Sequence, residues 1–169
     1  MKPSLCSATT LVAVTVGLSA FGAQAPGEKP KIELAEFIFE TAPFEQCHAS
    51  TVLELPDGKL LAAWFGGKRE KDTSVEIWLS RKPKGGTWSA PEAMTSFPEV
   101  ATWNPVLFRD AGGKVWLFFK IGPNEREWIG AYRTSSDGGS TWSDIVYLPG
   151  GLLGPIRCKP IILSDGAIL

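Results

Sequence analysis

The apolar positions of this chain come in short runs, and the runs recur. His48-Ala49-Ser50-Thr51-Val52-Leu53, Trp103-Asn104-Pro105-Val106-Leu107-Phe108 and Cys158-Lys159-Pro160-Ile161-Ile162-Leu163 each begin 55 residues after the one before. A turn follows each: Pro56-Asp57-Gly58, Asp110-Ala111-Gly112-Gly113 and Asp165-Gly166. Asp-Gly and Gly-Gly between apolar runs predict hairpins, because these residues accept positive φ. Further along, Leu60-Leu61-Ala62-Ala63-Trp64-Phe65 corresponds to Val115-Trp116-Leu117-Phe118-Phe119. Val75-Glu76-Ile77-Trp78-Leu79-Ser80 corresponds to Gly130-Ala131-Tyr132-Arg133-Thr134-Ser135, and Gly86-Thr87-Trp88-Ser89 to Ser140-Thr141-Trp142-Ser143. Each unit reads as four short antiparallel strands, the blade of a β-propeller. The first strand of each unit is almost continuously apolar, which predicts burial on both faces near a propeller axis.

Two full units and the first hairpin of a third amount to about two and a half blades, whereas a closed propeller needs roughly four to eight. The expectation is an N-terminal part of a longer propeller; assembly of several short chains into one ring is the alternative. Ahead of the repeats, Lys2 precedes an apolar run over residues 11–21 and the small-x-small pattern Ala23-Gln24-Ala25. This predicts a secretory signal peptide over 1–25, and so a secreted or periplasmic protein. The run is too short to span a bilayer comfortably, so no membrane span is expected. Residues 26–43 read as a linker and lead-in strand, and 44–169 as the partial propeller domain.

Composition adds exclusions. With 18 Gly, 13 Pro, 7 Trp and 9 Phe in 169 residues, and 21% charged positions, the chain is neither disordered nor coiled-coil. Lys plus Arg number 17 against 18 Asp plus Glu, so nothing points to nucleic acid. Beyond the signal segment remain two cysteines, Cys47 and Cys158, and one histidine, His48. An oxidising compartment permits a Cys47–Cys158 disulfide, although two repeats of separation leave the pairing open. There is no nucleotide loop, haem motif or metal-ligand cluster, so no cofactor and no metal are expected.

Ser135-Ser136-Asp137-Gly138-Gly139-Ser140-Thr141-Trp142 fits the pattern Ser-x-Asp-x-Gly-x-Thr-Trp, the Asp-box. Ser80-Arg81-Lys82-Pro83-Lys84-Gly85-Gly86-Thr87-Trp88 is a degenerate copy without the Asp. The pattern is mechanical: Asp accepts turn N–H groups, Gly supplies positive φ and Trp covers the turn, so Asp137 is read as structural. With these boxes in register with a four-strand repeat, the chain over residues 44–169 resembles the sialidase (neuraminidase) superfamily, in its branch of exported BNR-repeat proteins. The blocks Cys47-His48-Ala49-Ser50-Thr51, Trp64-Phe65-Gly66-Gly67, Trp103-Asn104-Pro105 and Gly154-Pro155-Ile156-Arg157-Cys158-Lys159-Pro160 carry the same likeness. The resemblance implies an all-β propeller of six or seven blades and a glycan or acidic polysaccharide partner.

The candidate site residues follow from strand ends at one mouth of the channel. These are His48, Ala49, Trp103, Asn104, Cys158 and Lys159, together with the loop over residues 66–74 and its second-blade equivalent carrying Lys120, Asn124, Glu125, Arg126 and Glu127. The resemblance places a carboxylate-gripping Arg in the first blade, but that position is His48 here, within Cys47-His48-Ala49-Ser50. It also places an acid/base carboxyl in the loop after the second strand, where Asp72 is the nearest match with Glu70 close by; burial that raises its pKa would suit a proton donor. The family's Tyr–Glu nucleophile pair belongs to later blades, and neither Tyr132 nor Tyr147 matches it. His48 and Asp72 are therefore the catalytic candidates. Asn104, Lys120, Lys159, Arg81 and Trp103 are the substrate-binding candidates, with Trp103 and Trp128 as sugar-stacking rings. Lys120 and Lys159 have the competing reading of satisfying strand-end carbonyls, and Arg81 that of a structural partner of the turn. The implied activity is exo-glycosidase cleavage of an acidic sugar such as sialic acid. The alternatives are a polysaccharide lyase or rhamnosidase working beside a uronate through His48, and a propeller that binds glycan without chemistry.

Overall fold

The computed structural model describes residues 34–169; the expected signal peptide and the first part of the linker lie outside the described residues. The repeat appears as two four-stranded antiparallel sheets. The first blade is β1 (Gln46–Glu54), β2 (Leu60–Gly67), β3 (Glu76–Lys82) and β4 (Glu92–Ala93), paired in chain order. The second is β5 (Thr102–Arg109), β6 (Val115–Ile121), β7 (Ile129–Ser135) and β8 (Val146–Tyr147), paired likewise. The Asp110–Gly113 and Leu55–Gly58 turns close the innermost hairpins with bonds of 3.0 and 2.8 Å. A third hairpin follows, with Ile162 bridged to Ile168 and Ile161 and Leu169 exchanging backbone bonds of 2.9 and 3.0 Å.

Alternation along the strands sorts side chains between the blade faces. Leu61, Phe65, Ile77 and Leu79 of the first blade share one buried cluster with Trp103, Leu107, Leu117 and Phe119 of the second. The opposite face of the first blade is covered by an irregular strap, where the sequence suggested a lead-in strand. Phe39 lies 5.2 Å from Trp64 and Phe44 lies 5.0 Å from Trp78. Glu36 anchors the strap by accepting from Lys82 Nζ and, at 3.0 Å, from Trp88 Nε1. Ladder pairing begins only after Pro43, which has no N–H to donate. The expected burial of both first strands holds for β5, whereas β1 has no buried residue and is mostly exposed. Among the described residues, β5 packs against β1, β2 and β3 of the first blade as well as β6 of its own, while β1 has β2 and β5 as its main strand neighbours.

The Asp-box does what its residues dictate. The Asp137 carboxylate accepts from Ser135 Oγ at 2.7 Å, Ser140 N at 3.0 Å, Thr141 N at 2.9 Å and Thr141 Oγ1 at 2.6 Å. These bonds, the Thr141 hydroxyl first, hold its pKa far below the usual carboxylate range. The turn also joins the blades. Gly139 has φ 80°, and a Cβ there would stand 2.7 Å from Leu61 Cδ1, so only glycine fits. Its carbonyl accepts from Arg81 Nε at 2.5 Å, and Arg81 also pairs with Glu92. Arg81 therefore works as a clasp between blades at the box end of the strands.

Both innermost strands carry a bulge at the same repeat position. The β1–β2 register shifts between His48 and Thr51, and the β5–β6 register between Trp103 and Val106. Ala49 and Asn104, 55 residues apart, sit there at φ 54° and 43°. Asn tolerates this left-handed region; Ala is strained in it. We expect Ala49→Gly to stabilise the fold by about 1 kcal/mol in urea titrations, and Asn104→Gly to change it by less than about 0.5 kcal/mol.

Lys120 is fully buried, and its ammonium donates to Pro155 O at 2.7 Å. Burial pushes its pKa down to about 8. Between about pH 8 and its ordinary value of 10.5 the unfolded chain binds the extra proton, so stability rises with pH across that window. Lys120→Met is expected to reduce this rise and to stabilise the protein at pH 7 by up to roughly 3 kcal/mol, read from melting curves at pH 7 to 10.

Candidate functional site

The strand ends opposite the Asp-box open onto a cleft of ≈ 580 Å³. The β1 bulge brings His48, Ala49 and Ser50 to it, and the β5 bulge brings Trp103 and Asn104. The β2–β3 loop contributes Glu70, the β6–β7 loop contributes Glu125 and Trp128, and the segment before the third hairpin contributes Arg157. Three successive repeat units thus meet around one space, as the first residues of innermost strands must when blades fan around an axis.

His48 is exposed, lies edge-on to Phe65 at 5.7 Å, and makes no side-chain hydrogen bond among the described residues. Asn104 lines the wall at its left-handed bulge position. Trp103 forms the floor: it is 1% exposed, packs between Phe65 at 5.8 Å and Trp128 at 5.7 Å, and donates Nε1 to Gly122 O at 2.7 Å. At that exposure the ring has no face open to a sugar, which corrects the expectation that it stacks on one. Trp128 is the partly exposed ring at the cleft, and its indole nitrogen is buried without a partner among the described residues.

Asp72 lies outside the cleft, where the sequence suggested an acid. Its carboxylate accepts from Ser74 Oγ at 2.6 Å and Ser74 N at 2.9 Å, fastening a tight turn. Those bonds, the hydroxyl first, lower its pKa, the reverse of what a proton donor needs. Glu70, two residues earlier, faces the cleft instead. Lys71, at φ 74°, turns the loop between them and pairs with Glu125 of the second blade at 3.8 Å.

The other basic candidates are engaged elsewhere. Lys120 is sealed beneath Pro155, and Arg81 clasps the far end of the blades. Lys159 donates to Thr51 Oγ1 at 3.2 Å, Val52 O at 2.7 Å and Leu107 O at 2.8 Å. All three ammonium protons are directed at β1 and β5, and desolvation lowers its pKa. That geometry matches the reading in which Lys159 satisfies strand carbonyls. Arg157, two residues earlier, is the exposed cation at the cleft and has no ion pair or side-chain hydrogen bond among the described residues. Sequence reasoning named Glu70, Glu125 and Arg157 only in passing. The signal that picks out the two glutamates is the repeat itself, since they stand 55 residues apart at the same loop position. Cys47 and Cys158 are both exposed free thiols. Among the described residues no group of three or more His, Cys, Asp or Glu stands ready to hold a metal ion.

No curated protein matches this sequence. Among solved structures, an unknown-function protein from Dyadobacter fermentans DSM 18053 superposes with a TM-score of 0.57 at 17% identity, covering 72% of this chain and 45% of that one. Hadza microbial sialidase Hz136 superposes with a TM-score of 0.59 at 16% identity, covering 72% of this chain and 31% of that one. The chain therefore spans less than half the length of either structure, and at these identities the likeness is one of fold. Residues 58–169 match the family model for the BNR repeat-like domain. With that match over most of its length and two four-stranded blades in the fold, the chain belongs to the BNR repeat-like domain family.

Proposed function

We propose that the cleft is the glycan site of an exported, sialidase-like exo-glycosidase acting on an acidic sugar. The observation that carries this reading is the Arg157 guanidinium, without an ion pair among the described residues, in a cleft that also holds Trp128, His48, Asn104 and two carboxyls. A planar guanidinium suits a sugar carboxylate, an indole suits the apolar face of a pyranose, and carboxyls suit proton transfer to a leaving oxygen. The sialidase fold of a structural neighbour agrees with it. Export rests on the N-terminal sequence pattern alone.

His48 favours a second reading. It is exposed at the cleft, free of hydrogen bonds among the described residues, and the only histidine of the chain. An imidazole there suits removal of the C5 proton of a uronate, which is lyase chemistry, or assistance to hydrolysis beside one.

The test is a panel of 4-nitrophenyl glycosides of N-acetylneuraminic acid, glucuronic acid and rhamnose, with polyuronate chains alongside. Turnover of an acidic glycoside that falls about 10- to 100-fold in kcat/KM in Arg157→Ala supports the exo-glycosidase, since a charge-assisted carboxylate contact is worth roughly 1.5–3 kcal/mol. A product absorbing in the ultraviolet, and lost in His48→Ala, supports the lyase. Tight glycan binding without turnover makes the chain a binding module, and neither binding nor turnover across the panel sinks the glycan reading.

A further inference from the structure

The segment that carries Arg157 to the cleft is held on both sides by lysine ammonium groups. Upstream, Lys120 Nζ donates to Pro155 O at 2.7 Å. Downstream, Lys159 Nζ donates to Thr51 Oγ1 at 3.2 Å, Val52 O at 2.7 Å and Leu107 O at 2.8 Å. Arg157 stands midway, two residues from each anchor. In the ladder of the second blade, Lys120 lies between Trp103 of β5 and Gly130 of β7. Gly130 lets the same segment come close, since a Cβ there would stand 2.7 Å from both Leu152 O and Leu153 O. Leu148 N closes this seat by donating to Gly130 O at 2.8 Å. The run that leads to Arg157 is thus seated on neighbouring ladder positions of β6 and β7.

A fully buried ammonium is a destabilising way to fill that place. Lys120 has no ion pair among the described residues, and its one hydrogen-bond partner among them is the Pro155 carbonyl. A Met of similar length would occupy the space with no charge to desolvate. What the lysine adds is a directed bond to one carbonyl, two residues short of the cleft cation. On the reading that Arg157 receives the sugar carboxylate, we infer that Lys120 is a positioning residue for that guanidinium, fixing the Gly154–Arg157 run on β6 so that Arg157 faces the cleft. Lys120 itself is absent from the cleft lining and touches no ligand there. The planar guanidinium grips a carboxylate through two parallel N–H bonds, and that geometry is lost when the backbone beneath it shifts. The fold therefore gives up stability at Lys120 and gains a fixed direction for Arg157. Lys159 does the same from the other side, tying the segment to the two inner strands that wall the cleft.

The probes are the 4-nitrophenyl glycoside of whichever acidic panel sugar the full chain takes and its carboxamide analogue, the same ring without the charge. Lys120→Met is expected to raise KM for the acid about 10-fold (Kd, where the glycan is bound without turnover), with kcat and the KM for the carboxamide within about 2-fold of wild type. In an Arg157→Ala background the same substitution is expected to change KM for the acid by less than about 2-fold, because a residue acting through Arg157 has nothing left to position. Amide hydrogen exchange at Gly154, Ile156, Arg157 and Cys158 is expected to quicken about 10-fold in Lys120→Met, while β6 and β7 keep their protection and so report an intact fold. An unchanged KM for the acid, or an equal loss in the Arg157→Ala background, overturns the positioning role and leaves the glycan assignment standing. So does a raised KM with unchanged exchange, which makes Lys120 a charge acting at a distance. If the wild-type chain takes no acidic panel sugar, the acidic-glycan assignment is itself overturned, and the role of Lys120 with it.

Discussion

Face-to-face packing of two twisted sheets around a common axis is the constraint on which the molecule depends. A four-stranded blade exposes two apolar faces, and each needs a cover. Between the blades, Leu61, Phe65 and Ile77 meet Leu107, Leu117 and Phe119, and on the far face of the first blade the aromatic strap over Trp64 and Trp78 serves. Once the sheets are packed so, the first residues of β1 and β5 converge. Side chains distant in sequence then share one cleft, and Lys159 can reach both inner strands with a single ammonium group. The chemistry at the mouth follows from packing further down.

Much of the architecture was legible because it repeats. A period of 55 residues, with Asp-Gly and Gly-Gly turns in phase, located both blades, the start of the third hairpin and the Asp137 turn. What remained hidden was set by geometry that residue type does not announce. Glu70 and Asp72 are two positions apart in a loop of alternating charges, and only the left-handed turn at Lys71 decides which faces the cleft. Trp103 looks like a surface aromatic beside Asn-Pro, yet the bulge that follows it sends its ring under Trp128. Lys159 looks like an anion binder until its three acceptors, contributed by segments about 50 and 110 positions away, are counted. Contacts of such range leave no local pattern, so a sequence reading can nominate the cation but not its target.

The strained backbone at Ala49 and its counterpart at Asn104 belong to the same logic. A bulge interrupts the ladder where the inner strand enters the mouth, and the left-handed residue re-aims what precedes it. The same device in consecutive repeats carries different side chains, His48 in one and Trp103 in the other. One serves as a polar wall and the other as an apolar floor. The backbone geometry is thus held constant while the chemistry it presents is varied.

The Asp137 turn, the Arg81 clasp and the Gly139–Leu61 contact all lie at one end of the strands, and the cleft lies at the other. Integrity and chemistry occupy opposite poles of the same sheets. The β2–β3 and β6–β7 loops are then cassettes, exchangeable between relatives without touching the latch that holds the blades together. Divergence within such a lineage would accumulate at the cleft pole and spare the box pole. A library that randomises these loops while fixing residues 135–142 would sample new cleft surfaces on a scaffold that still folds.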